Sequence, residues 1–187
     1  MKRWALILGG KGAGKSSTTK RVAERLNARG VAVGGVFQPA LYEDGERVGY
    51  VARRVDGPDS CVLAWRGAAP SGTQPETQAA YCSFVFNQDA FASARTWIRA
   101  AASEAEVVVI DEVSALEVGG GGHHDAIQEA LQGRAIVLLS VRADQLFGVM
   151  ERFGLDEPVA YVEAGDESEL EAFVAQLASA VAVGSQP

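Results

Sequence analysis

The segment Gly9-Gly10-Lys11-Gly12-Ala13-Gly14-Lys15-Ser16 constrains this chain more than any other. It fits the pattern G-x-x-x-x-G-K-S/T and follows directly on the apolar run Trp4-Ala5-Leu6-Ile7-Leu8. A polyphosphate carries several negative charges, and a glycine loop wraps it with backbone N–H groups where side chains would clash. Gly12 and Gly14 supply that freedom. Residues 15–26 read as a helix with apolar positions at Val22, Ala23 and Leu26, so its N-terminal dipole points at the phosphates. Strand, loop and helix therefore stand in the order that phosphate binding requires. The nucleotide-binding segment runs from Gly9 through Ser17. In it Lys15 reaches the β- and γ-phosphates and Ser16 holds Mg²⁺. Lys11 lies four residues before Lys15 and reads as a solvated loop lysine.

A chain of 187 residues supports one domain with a sizeable core. We take residues 1–183 as that domain and 184–187 as a frayed tail. The net charge of −7 argues against a general nucleic-acid surface, which needs Lys and Arg to displace counterions. Cys61 and Cys82 lack zinc-ligand spacing and make no disulfide framework, which suits a reducing cytoplasm. No apolar run is long enough to cross a bilayer, so no membrane partner is expected.

Strand and helix signals alternate along the chain. Val31–Phe37 reads as a second buried strand, and 47–54 with 61–65 as an antiparallel hairpin. The Gly-, Ala-, Pro-, Ser- and Thr-rich stretch 66–80 has the composition of a surface loop and is the candidate lid. A strand at 81–86 then leads into a helix capped by Asp89. Further strands are predicted at 107–110, 135–140 and 159–162, with helices from Asp125, over 143–153 and over 168–181. The expected fold is α/β: three layers, a mostly parallel sheet with helices on both faces, and a small antiparallel hairpin.

Val107-Val108-Val109-Ile110-Asp111-Glu112 is a run of apolar β-formers ending in two carboxylates. In open α/β sheets such a strand end faces the ligand. Asp111 is the expected holder of a Mg²⁺-bound water, and Glu112 the group that orients or deprotonates the attacking water. Both join Lys15 as candidate catalytic residues.

Three stretches together, Gly35-Val36-Phe37-Gln38-Pro39, Gly45-Glu46-Arg47-Val48-Gly49-Tyr50 and Ile110 through Val118, resemble the THEP-type nucleoside-triphosphatases. Those small P-loop proteins carry G-F-x-T-x-E-x-R, G-x-R-x-G-F and I-D-E-x-G-x-M-E-L in that order. The resemblance implies a one-domain P-loop fold that hydrolyses ATP, GTP and related nucleotides with Mg²⁺, with Arg47 and Glu117 in supporting roles. Two departures stand out. Ala40 and Tyr42 replace the family's Glu and Arg, and Gly165-Asp166-Glu167-Ser168 replaces a late Asn-Arg pair. Both remove arginine near the expected site.

His123, His124 and Asp125 follow four glycines and read as a flexible loop entering a helix rather than as a metal cluster. Trp65 reads as a core or sheet-edge aromatic, and Arg53, Arg54, Arg66 and Arg142 as surface residues. Alongside hydrolysis of the β–γ bond, two readings stay open: a small-molecule P-loop kinase, and a nucleotide-gated adaptor resembling the P-loop partners of molybdenum-cofactor assembly, which would meet a protein partner.

Overall fold

The computed structural model describes residues 2–67, 78–81 and 84–184, with 78–81 known by backbone alone. The candidate lid at 66–80 and Cys82 fall largely or wholly outside them.

The chain opens with β1 (Trp4–Gly9), the phosphate loop and α1 (Lys15–Ala28), then β2 (Val33–Phe37). An antiparallel wing follows: β3 (Ala40–Glu43), β4 (Glu46–Arg54), β5 (Ser60–Trp65), β6 (Gln78–Tyr81) and β7 (Phe84–Asn87). The remainder alternates as α2 (Gln88–Glu104), β8 (Val107–Val113), α3 (Ala115–Val118), α4 (His124–Ala130), β9 (Ile136–Arg142), a 3₁₀ turn at Ala143–Gln145, α5 (Leu146–Phe153), β10 (Tyr161–Glu163) and α6 (Glu167–Gly184).

All strands belong to one sheet, ordered β10-β1-β9-β8-β2-β4-β5-β7-β6, with β3 paired to β4. The first five in that order are parallel and the rest antiparallel. Among the described residues the wing thus holds five strands, where the sequence predicts a hairpin and a further strand at 81–86. The chain leaves β1 toward β2 on one side and β10 is laid down on the other, so the phosphate loop sits where the winding reverses. Open α/β sheets bind their ligands at that point.

Alternation along the parallel strands feeds two cores. Trp4, Leu6, Val108, Ile110, Val137 and Leu139 face α2, α4 and α5, whereas Ala5, Ile7, Val107, Val109, Ile136 and Leu138 face α1 and α6. Burial on both faces is why these strands read as continuous apolar runs. Gly35 marks a close approach of β2 to β8: at its φ of 112° an added Cβ would stand 2.1 Å from the Val109 carbonyl oxygen. Trp65 is buried, as its core reading requires.

Two local expectations are corrected. The cap of α2 is Asn87 rather than Asp89, because the Asn87 side chain accepts from the Asp89 and Ala90 amides. Gly184 belongs to α6 rather than to a frayed tail, its Cα close against Arg3; residues 185–187 fall outside the described residues. No helix among the described residues is long and apolar enough to cross a membrane.

Candidate active site

Gly12 and Gly14 adopt φ of 76° and 84°, the left-handed region that a side chain would oppose. The loop closes on itself through Ala13 N to Gly10 O (3.3 Å) and enters the helix through Thr18 N to Gly14 O (2.9 Å). The first turn of α1 carries no acidic residue, so the positive end of its dipole is left for an anion. Lys15 is only 4% exposed. Its Nζ donates to Gly10 O at 3.2 Å and stands 3.7 Å from Glu112 Oε1. A buried ammonium with so loose a partner is an incomplete ion pair that a phosphate would complete. On the other side Gly165 N donates to Thr18 Oγ1 (3.3 Å), and Asp166 caps α6 by accepting from the Ser168 and Glu169 amides.

The two carboxylates do different things because the strand that carries them is bulged. Pairing of β8 with β9 runs to Ile110 and resumes at Val113, and Glu112 takes φ of 59°. Bulges of this kind re-aim side chains. Asp111 is fully buried, and its carboxylate accepts from three donors: Gln38 N (3.0 Å), Glu112 N (3.0 Å) and the Ser140 hydroxyl. It ties the end of β2 to β9 across β8. Glu112 instead borders the phosphate-loop cavity, its side chain a third exposed beside Lys15. Burial, then the neighbouring Asp111, raise its pKa, partly opposed by Lys15 and Arg47. No surface of Asp111 is open to a water-sized group, and Glu112 is the carboxylate that faces the cavity.

Glu117, expected in support, is a fastening. Its carboxylate accepts from Ser114 N (3.0 Å) and His123 N (3.3 Å), a capping box that holds the four glycines against α3. The short helix α3 was hidden because its signal is only Ser114-x-x-Glu117. Burial pushes the Glu117 pKa up to about 7. The expected flexible loop at His123 and His124 is also corrected, since both rings are buried. His123 packs 5.1 Å from the Phe91 ring with no hydrogen-bond partner on either nitrogen among the described residues, and burial lowers its pKa to about 3. His124 Nδ1 lies 2.8 Å from Glu117 O. Among the described residues no group of three potential ligands could hold a metal.

Two cavities meet at Glu112. The first, about 280 Å³, is rimmed by Gly12, Gly14, Lys15, Ser16 and Ser17, with Ala40, Tyr42 and Arg47 across from them. Arg47 faces Tyr42 in the β3–β4 register, so a cation stands beside the position where the family's arginine is missing. The second, about 360 Å³, lies toward the wing; it shares Gln38, Arg47, Tyr50 and Glu112 with the first and adds Lys11, Arg66, Arg142 and an aromatic wall. Sequence reasoning missed this cavity. Arg142 and Arg54 are held by Asp144 and Asp56 through paired hydrogen bonds, as surface arginines often are.

Residues 5–167 match the family model described as NTPase. The chain belongs to that family. Its relatives include the nucleoside-triphosphatase THEP1 of Thermofilum pendens, 33% identical over 79% of this chain and 80% of that one. The THEP1 of Methanopyrus kandleri is 30% identical over 67% of this chain and 65% of the relative. Two solved structures share the fold: a human cancer-related nucleoside triphosphatase (TM-score 0.67, 18% identity, 99% of this chain and 100% of that one) and THEP1 from Aquifex aeolicus (TM-score 0.66, 21% identity, 95% and 99%). The low identities make this chain a divergent THEP-type member.

Proposed function

We propose that the chain hydrolyses the β–γ bond of nucleoside triphosphates of the ATP and GTP type with Mg²⁺. The observation that carries this reading is the convergence of buried Lys15 and half-open Glu112 on one cavity at a helix N-terminus. The names of the relatives support it. Backbone amides of Gly12 through Ser17 bind the phosphates, and Lys15 leaves Glu112 for the β/γ bridge. Glu112, freed and with its pKa raised, orients a water and takes its proton as the water oxygen bonds to the γ-phosphorus and the bond to the β-phosphate oxygen breaks. Asp111 serves as a positioning residue through Gln38, Ser140 and the Glu112 amide.

The donor set fits magnesium: the Ser16 hydroxyl puts an oxygen ligand on the cavity, and this ion takes few protein ligands while keeping waters and phosphate oxygens. Ser16 would hold it. When bound, the ion neutralises charge on the β- and γ-phosphates.

With tyrosine at position 42, the transition state relies on Lys15 and Arg47 for cations. We expect turnover below about one per second, the bottom of the usual enzyme range. Phosphate release from ATP, GTP, CTP and UTP, with magnesium and with EDTA, tests the reading. Slow, magnesium-dependent release supports it; release that EDTA leaves unchanged, or none from any of the four, contradicts it.

A further inference from the structure

We propose that the wing cavity is a binding site for a second small molecule, a planar ring carrying a phosphate, held beside the γ end of the nucleotide. The inference rests on the proposed function, since it takes Lys15 and Glu112 to mark that end. A P-loop backbone cradles the α- and β-phosphates while its lysine reaches the γ side, so the nucleoside leaves by the other end of the loop. The wing cavity begins at Glu112 and runs away from the loop toward β4, β5 and β7. It is therefore not needed to hold the triphosphate.

Its chemistry has two parts. Lys11, Arg47, Arg66 and Arg142 all border it, in a chain whose net charge is −7. The acids that border it are committed elsewhere: Glu112 lies against Lys15, and both Glu117 oxygens accept backbone amides. Arg142 is held by Asp144, and Lys11 and Arg47 still leave the balance cationic; guanidinium forks match phosphate oxygens in pairs. The second part is apolar. Arg66 and Arg47 stack on the Phe84 ring, 5.0 Å and 5.9 Å from its centroid, and Arg47 lies 5.2 Å from that of Tyr50. Phe91 and Leu63 form a buried floor. Cations pre-placed against aromatic faces suit a ligand with a flat ring at one end and an anion at the other. At about 360 Å³ the space lies at the small end of the ligand-site range.

The test is calorimetry on the full chain saturated with magnesium and adenylyl imidodiphosphate, titrated with guanosine 5′-monophosphate, phenyl phosphate, guanosine or inorganic phosphate. The two ring phosphates should bind, each at least about tenfold more tightly than guanosine or inorganic phosphate, because stacking and charge act together. Phe84→Ala and Arg66→Ala should each weaken guanosine 5′-monophosphate about tenfold, with the affinity for the triphosphate analogue within about twofold of the parent. Three results overturn the inference: neither ring phosphate binds the saturated protein, inorganic phosphate binds as tightly as they do, or both variants bind like the parent. A chain that does not take the triphosphate analogue at all fails the proposed function instead.

Discussion

The phosphate-loop side of the cleft and the wing side are built by different means. On the loop side the groups proposed to bind are consecutive in sequence, from Gly9 to Ser17, and are mostly backbone amides aimed by glycine dihedrals and a helix terminus. On the wing side they come from Arg47, Tyr50, Arg66, Phe84 and Phe91, carried by separate elements and brought together by antiparallel register. Local construction makes a site for the part all nucleotides share. Assembly from distant residues makes a site that can differ between relatives, and this chain departs from the family pattern on both sides, at Ala40 and Tyr42 on β3 and at Gly165 to Ser168 beside α1.

The largest expected effect on binding lies on the loop side. Lys15→Ala removes a buried cation and should weaken triphosphate binding about 10- to 100-fold, the range for a charge-assisted hydrogen bond. Calorimetry with ATP and GTP checks it, and the loss should be equal for both bases; unequal losses would mean that the loop side also reads the base. Next is Asp111→Asn, which sets an amide against groups that donate. Leaving buried donors unsatisfied costs about 1–3 kcal/mol, so the melting temperature should fall with and without nucleotide. A variant as stable as the parent would remove Asp111 from its positioning role. On the wing side Arg47→Ala should lower turnover about tenfold while changing triphosphate affinity less than Lys15→Ala does, since its cation acts beside the γ-phosphate. Steady-state phosphate release read alongside calorimetry separates the two.

The smallest effect concerns pH. His123 is held at about 3 in the fold against an ordinary 6.5, so from pH 6.5 down to about 3 the unfolded chain binds a proton that the folded chain refuses, and stability falls. Glu117 acts in the opposite sense. Its folded value of about 7 exceeds the ordinary 4.5, so its contribution is fully present below 4.5 and is lost as pH rises to 7. The two slopes oppose each other between 4.5 and 6.5. His123→Phe removes one of them, so its stability relative to the parent should rise as pH is lowered from 7.5 to 5, read by thermal melts at both values. A difference independent of pH would contradict the burial account.

These differences explain what was legible in the sequence. The phosphate loop, the alternation of strands and helices and the buried strand ending in two acids could be read directly, because each is a local pattern of period or composition. The burial of Asp111 and the turn of Glu112 into the cavity could not be read, since they follow from a bulge and one positive φ that adjacent acids do not announce. The burial of His123 was masked by the preceding glycines, which look like a loop until Glu117 is seen fastening them. Arg47 and Tyr50 share the second family stretch, but residues 66, 84 and 91 carry no motif, and only the register of β4, β5 and β7, with α2 following β7, brings them to the same cavity.

The central claim is that Glu112, turned into the cleft by the bulge, is the carboxylate that handles the attacking water. Single-turnover phosphate release from Mg·GTP by Glu112→Gln, with GTP affinity measured on the same preparation, tests it most directly. Loss of a positioned base typically costs about 10²–10⁴ in rate, and the account predicts a loss in that range with affinity within about threefold of the parent or tighter, since Lys15 is freed from its carboxylate partner. Hydrolysis within about twofold of the parent would contradict it.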